Sequence, residues 1–460
     1  MMKLDTIFSH YQDRYRHDPY PFYKTRIRLL QDLKKMLLCE KGALCEAVSR
    51  DFGHRADEET LMLELFPLIK SIDYVLKQLK DWMKPRRRKV TLIFQPAKNY
   101  VYYQPKGVIG IVVPWNYPLF LAFSPLIYSL AAGNRSLIKC SEYSPHVATL
   151  LDKLCKQYFS DWVAIIAGDV KVADAFSRLP FNHLLFTGST AIGKKVMAAA
   201  SENLTPVTLE LGGKSPTVID EHYPLDKAAR VISFAKSINS GQTCIAPDYV
   251  LLPRHRLQGF VEQMDKQFRR LYPDFSHNHQ YSQIITDEQF ERLQTYLTEA
   301  KECALNIVPL EKTADGKKAA LTLVMNPSDD SGLMRDEIFG FILPVITYDA
   351  IEEVFDRINA QDRPLALYAF TSDKQLQRRL LNETHSGGVC FNDAIMHVAQ
   401  SDLPFGGVGA SGMGRYHGRE GFETFSNIKS VFQRGRFNSA TLLYPPYGKF
   451  FSWFLRIFLR

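Results

Sequence analysis

The chain lacks the features that mark disulfide-rich, metal-binding and membrane-spanning proteins. Its seven cysteines are odd in number and widely scattered, with no C-x-x-C pair and no histidine–cysteine cluster at metal-ligand spacing. We therefore expect reduced thiols and no bound metal. No apolar run is long enough to cross a bilayer, and the first residues lack the apolar segment of a signal peptide. These absences predict a cytoplasmic protein.

The charge of the chain also gives little sign of a highly charged partner. The net charge of +8 is mild for 460 residues, of which 46% are apolar and 23% charged, although it would suit an acidic substrate or an anionic lipid surface. No arginine-rich arm and no alternation of aromatic and basic residues is present, so we expect no nucleic-acid partner. The length predicts two or three domains with a sizeable core.

Hydrophobic periodicity in the first quarter of the chain predicts helices followed by a short β segment. Residues 1–84 are expected to form two or three long amphipathic helices that end near Trp82. The basic run Lys84–Lys89 is interpreted as a solvated turn. The alternation of apolar and polar residues in Val90–Gln104 predicts a β-hairpin around a turn at residues 96–99.

From Gly107 onward, short β-rich runs alternate with segments of helical length, which predicts an α/β fold with a parallel sheet. The expected strands are 108–113, 136–139, 163–167, 184–186 and 207–211, and the expected helices are 118–132, 145–158, 170–178 and 190–202. A second series has expected strands at 215–219, 249–252 and 365–371 and helices near 225–239, 256–271, 287–303 and 373–383. Glycines concentrated in residues 405–415 predict a loop with close backbone approaches.

Two side chains have the chemistry of covalent catalysis. Cys244 follows Asn-Ser-Gly-Gln-Thr, and Glu210 lies 34 positions upstream, just before a Gly-Gly pair. A thiolate can attack a carbonyl carbon, and a carboxylate can activate the water that later releases the product. Either residue alone would be ordinary, because an isolated cysteine is most often a small buried hydrophobe and an isolated glutamate a solvated charge.

Further motifs accompany this pair in a fixed order. They are Pro-Trp-Asn-Tyr-Pro at 114–118, Phe-Thr-Gly-Ser-Thr-Ala-Ile-Gly at 186–193, Glu-Ile-Phe-Gly at 337–340, Phe-Asn-Asp at 391–393 and the glycine-rich loop. From about residue 20 to 436 the chain resembles the aldehyde dehydrogenase superfamily. The glycine-rich loop is most similar to the class 3 branch, which includes fatty, aromatic and coniferyl-type aldehyde dehydrogenases.

The resemblance implies a fold of three parts. They are a Rossmann-like NAD-binding domain, an α/β catalytic domain and a small β oligomerisation arm. The expected boundaries are 1–84 and 105–209 for the first, 210–397 for the second, and 85–104 and 398–436 for the arm. Residues 437–460 are left as an amphipathic tail. Because 90–104 and 430–433 resemble the family's oligomerisation arms, we expect a homodimer.

The resemblance also assigns the catalytic roles. Cys244 would be the nucleophile that forms a thiohemiacetal with the aldehyde. The side-chain amide of Asn116, which alone would be read as a turn residue, would stabilise the oxyanion together with the backbone N–H of Cys244. After hydride transfer to a nicotinamide, Glu210 would activate the water that hydrolyses the thioester.

The expected cofactor is NAD, with NADP as the alternative. Gly188, Ser189 and Gly193 lie between a strand and a helix: Gly188 would allow a tight turn, Gly193 would allow close helix packing, and the helix N-terminus would face the phosphates. By resemblance, Lys139 and Glu142 would hold the adenosine ribose, which leaves the choice of cofactor open because class 3 members often accept both.

The nicotinamide end of the cofactor is assigned in the same way. Glu337 would bind the nicotinamide ribose and Phe339 would border the ring. The chain departs from the family at two positions, with Cys140 and Phe341 where the family usually has proline. Neither departure removes a reacting group.

The segment 449–460 is aromatic or aliphatic except for one polar helical stripe, Lys449, Ser452, Arg456 and Arg460. Such a helix is too short to cross a bilayer but suits its interface, so we expect peripheral contact with the cytoplasmic membrane face. The alternative is a tail folded over a neighbouring subunit or the substrate entrance.

These observations predict NAD(P)-dependent oxidation of a long-chain or aromatic aldehyde to the acid. The alternative is a non-redox thioester-forming acyltransferase or esterase, which would need neither the Gly188–Gly193 turn nor Glu337. A coenzyme A-acylating dehydrogenase would not need Glu210, and a non-catalytic relative would not need Cys244. No histidine context beside Cys244 favours a papain-like protease.

Overall fold

The structure, a computed structural model, describes residues 4–312, 316–436, 441 and 444–459. Its N-terminal part is helical and ends at Trp82, as expected. Helices α1 to α5 are Leu4–His17, Tyr23–Cys39, Lys41–Phe52, Asp57–Thr60 and Phe66–Trp82, with a π-helical turn Leu61–Leu65 between the last two. In α2, Leu30, Leu33 and Leu37 are fully buried at helical spacing, which explains why this segment folds as an amphipathic helix.

The short β segment differs from the prediction. Strands β1 (Arg86–Arg88), β2 (Lys98–Pro105) and β16 (Ser426–Gln433) form a three-stranded antiparallel sheet with β2 in the centre. The basic run is therefore an exposed edge strand and not a solvated turn, because arginine side chains on an edge can point into solvent while the backbone pairs. The predicted hairpin within Val90–Gln104 is also wrong: residues 92–94 form a 3-10 turn, and β2 pairs with β1 and with a strand from the far end of the chain.

The first large sheet confirms the predicted parallel α/β unit. Its order is β15-β7-β6-β3-β4-β5, parallel except for β15. The strands β3 to β7 are Val108–Val112, Arg135–Lys139, Val163–Ile166, His183–Thr187 and Val207–Glu210, and β15 is Gly412–Met413. Helices α6 to α9 are Pro118–Ala132, Pro145–Phe159, Val170–Ser177 and Thr190–Ser201. Every predicted boundary in this unit lies within one residue of the observed one.

The second large sheet has the order β10-β11-β12-β9-β8-β13-β14, and only β10 is antiparallel. Its strands β8 to β14 are Pro216–Ile219, Tyr249–Pro253, Ile307–Pro309, Thr322–Met325, Ile342–Tyr348, Ala366–Phe370 and Gly388–Phe391. Helices α10 to α15 are Leu225–Ser237, Leu257–Leu271, Asp287–Glu302, Gly332–Arg335, Ile351–Ala360 and Lys374–Glu383, followed later by α16, Gly418–Thr424, and α17, Lys449–Phe458. Strands β8, β9 and β13 agree with the predicted strands, whereas β10 to β12 and β14 were not predicted.

The predicted α/β class is confirmed, and the two sheets meet where the site residues cluster. Strand β7 ends at Glu210, and β8 begins the second sheet at Pro216. Helix α6, which directly follows the Asn116 motif, is buried along its whole length. Among the described residues, no helix has both the length and the apolar character that a bilayer span needs.

Candidate active site

Seven of the ten predicted site residues line one cavity of about 310 Å³. They are Asn116, Gly188, Ser189, Glu210, Cys244, Glu337 and Phe339. Residues far apart in sequence meet here because β3, β6 and β7 end at the same edge of the first sheet and the loop before β9 faces them. The arrangement puts a thiol, two carboxylates and an amide around one space.

The nucleophile loop, residues 238–244, holds Cys244 half-buried at the cavity. Asn239 and Ser240 both have left-handed backbones, with φ of 49° and 52°, an uncommon conformation that persists only where surrounding contacts fix it. Gln242 supplies such contacts: its side chain donates to the carbonyls of Asn239 and Gln283. Burial raises the pKa of the Cys244 thiol, so formation of a thiolate here would require a base.

Asn116 lies between β3 and α6, beside the nucleophile loop. Its side chain is buried, and its amide nitrogen donates to the carbonyl of Gln242 at 3.1 Å. An amide nitrogen carries two N–H groups, so one remains for a reacting oxygen. Tyr117 forms a second hydrogen bond between this segment and the nucleophile loop, because its hydroxyl lies 2.6 Å from Oγ1 of Thr243.

Glu210 ends β7 with its carboxylate buried. Neither carboxylate oxygen has a hydrogen-bond partner within the described part of the chain. Burial raises the pKa of this carboxyl well above its ordinary value, partly opposed by the positive charge of Arg415. An unpartnered carboxyl with a raised pKa is suited to accept a proton from a nearby thiol or water.

Glu337 also lines the cavity. Burial, followed by the charge of Asp248, raises its pKa to about 8. Gly212 is required here, because a Cβ at that position would overlap the Glu337 carboxylate. Phe339, with φ of 49°, packs its ring edge-on against Trp115 at 5.4 Å between centroids. The cavity therefore has both an acidic and an aromatic side.

The loop from β6 to α9 fits a dinucleotide. Ser189 caps α9 by accepting the N–H of Ile192, and the N-terminus of this helix opens on the cavity that holds Cys244. Helix N-termini favour anions such as phosphates. A Cβ on Gly193 would lie 2.6 Å from Leu211, which agrees with the expected close packing. Gly188 lies in the short turn between β6 and α9; its backbone is not left-handed, and a Cβ there would lie 2.5 Å from the Phe186 ring.

Comparison with known proteins decides the family. The profile of the Aldehyde dehydrogenase family matches residues 21–431. The chain belongs to the aldehyde dehydrogenase family.

Relatives support the class 3-like branch. The chain is 51% identical to a probable coniferyl aldehyde dehydrogenase of Pseudomonas aeruginosa, covering 97% of this chain and 94% of that protein. It is 36% identical to the dimeric NADP-preferring aldehyde dehydrogenase of Mus musculus, covering 97% and 98%. A solved structure of the substrate-bound state of Staphylococcus aureus AldH covers 100% of both chains, with a TM-score of 0.94 and 35% identity.

This aldehyde dehydrogenase is therefore an oxidoreductase that converts an aldehyde to a carboxylic acid with NAD(P) as the hydride acceptor. The predicted enzyme class and cofactor are confirmed. The non-redox acyltransferase alternative loses its support, because the aldehyde dehydrogenase family uses NAD(P).

Three predicted residues of the aldehyde dehydrogenase lie outside the cavity. Lys139 is buried, and its Nζ donates to the carbonyls of Cys140 at 2.7 Å and Gly168 at 2.8 Å. Glu142 is exposed, and Gly193 faces Leu211. The assignment of Lys139 and Glu142 to the adenosine ribose stays a prediction.

The cavity of the aldehyde dehydrogenase also contains residues that sequence reasoning missed. Gln289 and Arg292 reach it from α12. Arg292 donates to Gln289 at 3.0 Å and to the carbonyl of Ile338 at 2.8 Å, beside Phe339. No flanking motif marks these two residues, so their position at the cavity could not be predicted without the tertiary structure. Within the described ranges, no group of three or more histidine, cysteine, aspartate or glutamate side chains is arranged to hold a metal ion.

Proposed function

We propose that Cys244, Asn116 and Glu210 carry out the oxidation of an apolar aldehyde, aromatic or long-chain. The observation that supports this most directly is the unpartnered, buried Glu210 carboxylate in the same cavity as the Cys244 thiol. Family membership gives the reaction, and the position of the three side chains around one cavity supports their proposed roles.

The first half-reaction forms a thioester on the enzyme. The Cys244 sulfur bonds to the aldehyde carbon as its proton passes to Glu210 or, at higher pH, to solvent. The carbonyl oxygen becomes an oxyanion held by the free N–H of Asn116 and the backbone N–H of Cys244. When bound, NAD(P) supplies the acceptor for the hydride that leaves this carbon.

The second half-reaction releases the acid. Glu210, ionised again after losing its proton to solvent, takes a proton from water, and the hydroxide adds to the thioester carbon. The C–S bond then breaks, and Glu210 returns a proton to the departing sulfur. Each cycle thus restores the thiol and the carboxylate.

Gly188, Ser189 and Gly193 form the phosphate turn, with Glu337 at the nicotinamide ribose and Phe339 bordering the ring. Support comes from the α9 N-terminus and the Glu337 carboxyl opening on the cavity that holds Cys244. Lys139 and Glu142 hold the adenosine ribose at the far end.

The substrate class is supported by the aromatic side of the cavity and by the relatives. Trp115 and Phe339 present apolar rings next to the thiol, and the Pseudomonas aeruginosa relative is a probable coniferyl aldehyde dehydrogenase. The test follows reduced-nicotinamide formation over ring-bearing and straight-chain aldehydes of increasing length, with NAD and NADP in parallel. Preference for acetaldehyde over all apolar substrates would contradict the proposal, as would a Cys244→Ser variant as fast as the native enzyme.

The enzyme acts as a homodimer joined through its arm. Strand β16 is an edge strand, and its Ile428 and Phe432 side chains are about half exposed. The Mus musculus relative is described as dimeric. Light scattering of the native enzyme and of Phe432→Lys tests this, and a native monomer would contradict it.

We further propose that the enzyme is cytoplasmic and that α17 contacts the cytoplasmic membrane face; the exposure of the helix supports this. Trp453 and Ile457 are 58% and 49% exposed, and Lys449, Ser452 and Arg456 are also exposed. Arg460, the fourth member of the predicted stripe, lies outside the described residues.

A further inference from the structure

A second group of charged side chains lies directly behind the reacting residues. Arg55, Glu59 and Glu64 are at most 5% exposed, and none of them lines the cavity that holds Cys244. All three belong to the segment that leads from α3 into α5. Burial of ionisable groups is unfavourable unless they are paired or hydrogen-bonded. The hydrogen-bond partners of these three side chains therefore indicate the role of the group.

Glu64 and Arg55 hold the segment that carries the oxyanion donor. Glu64 Oε2 accepts the N–H groups of Leu119 at 2.8 Å and Phe120 at 2.9 Å, in the first turn of α6. These N–H groups have no partner within the helix, and a carboxylate satisfies them. Arg55 Nη1 lies 3.0 Å from Glu64 Oε1 and donates to the carbonyl of Asn116 at 3.0 Å.

Glu59 holds the nucleophile loop. Both of its oxygens lie 3.1 Å from the backbone nitrogen of Asn239, whose N–H they accept, and Oε2 accepts the Ser282 hydroxyl at 2.5 Å. The bond falls at the left-handed pair Asn239–Ser240, where the loop needs an external restraint. The Asn239 side chain then donates to the Asn116 carbonyl at 3.0 Å. One carbonyl thus receives a hydrogen bond from the arginine and another from the loop.

Arg55 also contacts two aromatic rings, one of which belongs to a residue that reaches the nucleophile loop. The Arg55 guanidinium lies 4.8 Å from the Tyr117 ring centroid and 5.2 Å from that of Phe52. Tyr117 is the residue whose hydroxyl contacts Thr243, next to the nucleophile. Arg55 therefore contacts the segment of the proposed oxyanion donor, and that segment contacts the nucleophile loop through Tyr117.

We propose that Arg55, Glu59 and Glu64 form a buried positioning network that sets the distance between the Asn116 amide and Cys244. The inference rests on the proposed roles of those two residues. The network touches neither substrate nor cofactor, so it acts through the geometry of others. Displacement of a reacting group by about 1 Å can lower a rate by about 100-fold.

The test uses Glu64→Gln and Glu59→Gln, which keep the side-chain volume but replace one acceptor oxygen of each carboxylate by an N–H donor, so one of the present hydrogen-bond or charge contacts must be lost. We expect kcat for aldehyde oxidation to fall roughly 10- to 100-fold, with a similar fall in hydrolysis of 4-nitrophenyl acetate, an activated ester that needs the nucleophile and the oxyanion donor but no hydride transfer. Affinity for reduced nicotinamide dinucleotide, read by fluorescence, should stay within about twofold. Glu58→Gln, at an exposed neighbouring position, is the matched control and should match the native enzyme.

A double-mutant cycle separates positioning from general stability. In an Asn116→Ala background, Glu64→Gln should lower kcat by less than about twofold more, because no amide remains to be placed. If the double variant loses the product of the two single-variant losses in kcat, the positioning role is contradicted. A native kcat in both glutamine variants would contradict it as well. If those variants do not fold, Ser282→Ala weakens only the Glu59 contact, and the same cycle with it decides the question. A fully active Asn116→Ala enzyme would instead refute the proposed role of Asn116.

Discussion

At the scale of single residues, burial disfavours the charged form of Cys244, Glu210 and Glu337. It raises the pKa of the Cys244 thiol, and the nearby Glu337 and Glu210 raise it further. It also raises the pKa values of both carboxyls. Because like charges close together disfavour ionisation, the three groups cannot all be charged at once. The cavity therefore favours a proton passing between sulfur and carboxylate over free thiolate at rest.

Replacement of Glu210 by glutamine should separate the two half-reactions. Water activation requires the carboxylate, so we expect the steady-state rate to fall at least about 100-fold. The pre-steady-state burst of reduced nicotinamide should survive, because at higher pH the thiol can lose its proton to solvent. Stopped-flow absorbance measures both phases, and mass spectrometry of the quenched enzyme should detect an acyl group on Cys244. An unchanged steady-state rate would contradict the role of Glu210.

The raised pKa of Glu337 should make the stability of the cofactor-free enzyme depend on pH. The folded protein holds this proton up to about pH 8, whereas the unfolded chain releases it near the ordinary value of 4.5. Between those limits the native state binds more protons, so stability falls as pH rises, by up to about 1.4 kcal/mol per pH unit. Glu337→Gln should therefore show a shallower decline from pH 5 to 8 in urea denaturation. The exposed Glu302→Gln is the control, and identical slopes in all three proteins would contradict the argument.

Single reacting residues could be predicted when a local motif surrounds them. Asn116 and Cys244 lie in short segments whose neighbours shape the local backbone, so the sequence around them is informative. Arg55 and Arg292 could not be found this way. Arg55 reaches the site region from the loop between α3 and α4, and Arg292 reaches it from α12. Nothing beside either residue in the sequence records these contacts.

At the scale of elements, boundaries in the first parallel sheet were predicted to within one residue because each strand and helix carries its own periodicity. The three-stranded sheet of β1, β2 and β16 was not predicted, because its strands are not marked by a periodicity of their own. Pairing of β1 and β2 with β16 depends on a distant partner, and the arginines of β1 carry no apolar alternation. Local pattern alone cannot distinguish such an exposed edge strand from a turn.

Packing of α9 against the end of β7 leads to a prediction for Gly193→Ala. The added Cβ would lie 2.6 Å from the Leu211 side chain, which lines the cavity, so Leu211 must move. We expect a loss of about 1–3 kcal/mol in stability and several-fold weaker cofactor binding. Gly42→Ala in α3 is the matched control: its Cβ meets no atom within 4 Å, so this change should be neutral or stabilising by about 0.5–1 kcal/mol. Equal effects from the two substitutions would contradict the packing argument.

At the scale of the whole molecule, the cavity and the helix that we propose to contact lipid, α17, lie in different parts of the chain. The cavity lies where the two large sheets meet, whereas α17 comes after the last strand of the arm. Aromatic and aliphatic side chains of α17 are exposed together with Arg456. An arrangement of this kind would let the tail contact lipid while the cavity stays in water, and an apolar aldehyde would be taken up near the lipid surface.

Deletion of residues 449–460 should therefore abolish binding to vesicles that contain anionic lipid while leaving kcat for a water-soluble aldehyde unchanged. Co-sedimentation measures binding, and the native interaction should weaken with added salt because Lys449 and Arg456 contribute charge. Leu204→Ser removes a side chain that is 89% exposed outside the tail, and it should bind vesicles like the native enzyme. Undiminished co-sedimentation of the truncated enzyme would end the membrane proposal. A truncated enzyme that also lost activity on soluble substrates would instead favour a tail that covers the substrate entrance or a neighbouring subunit.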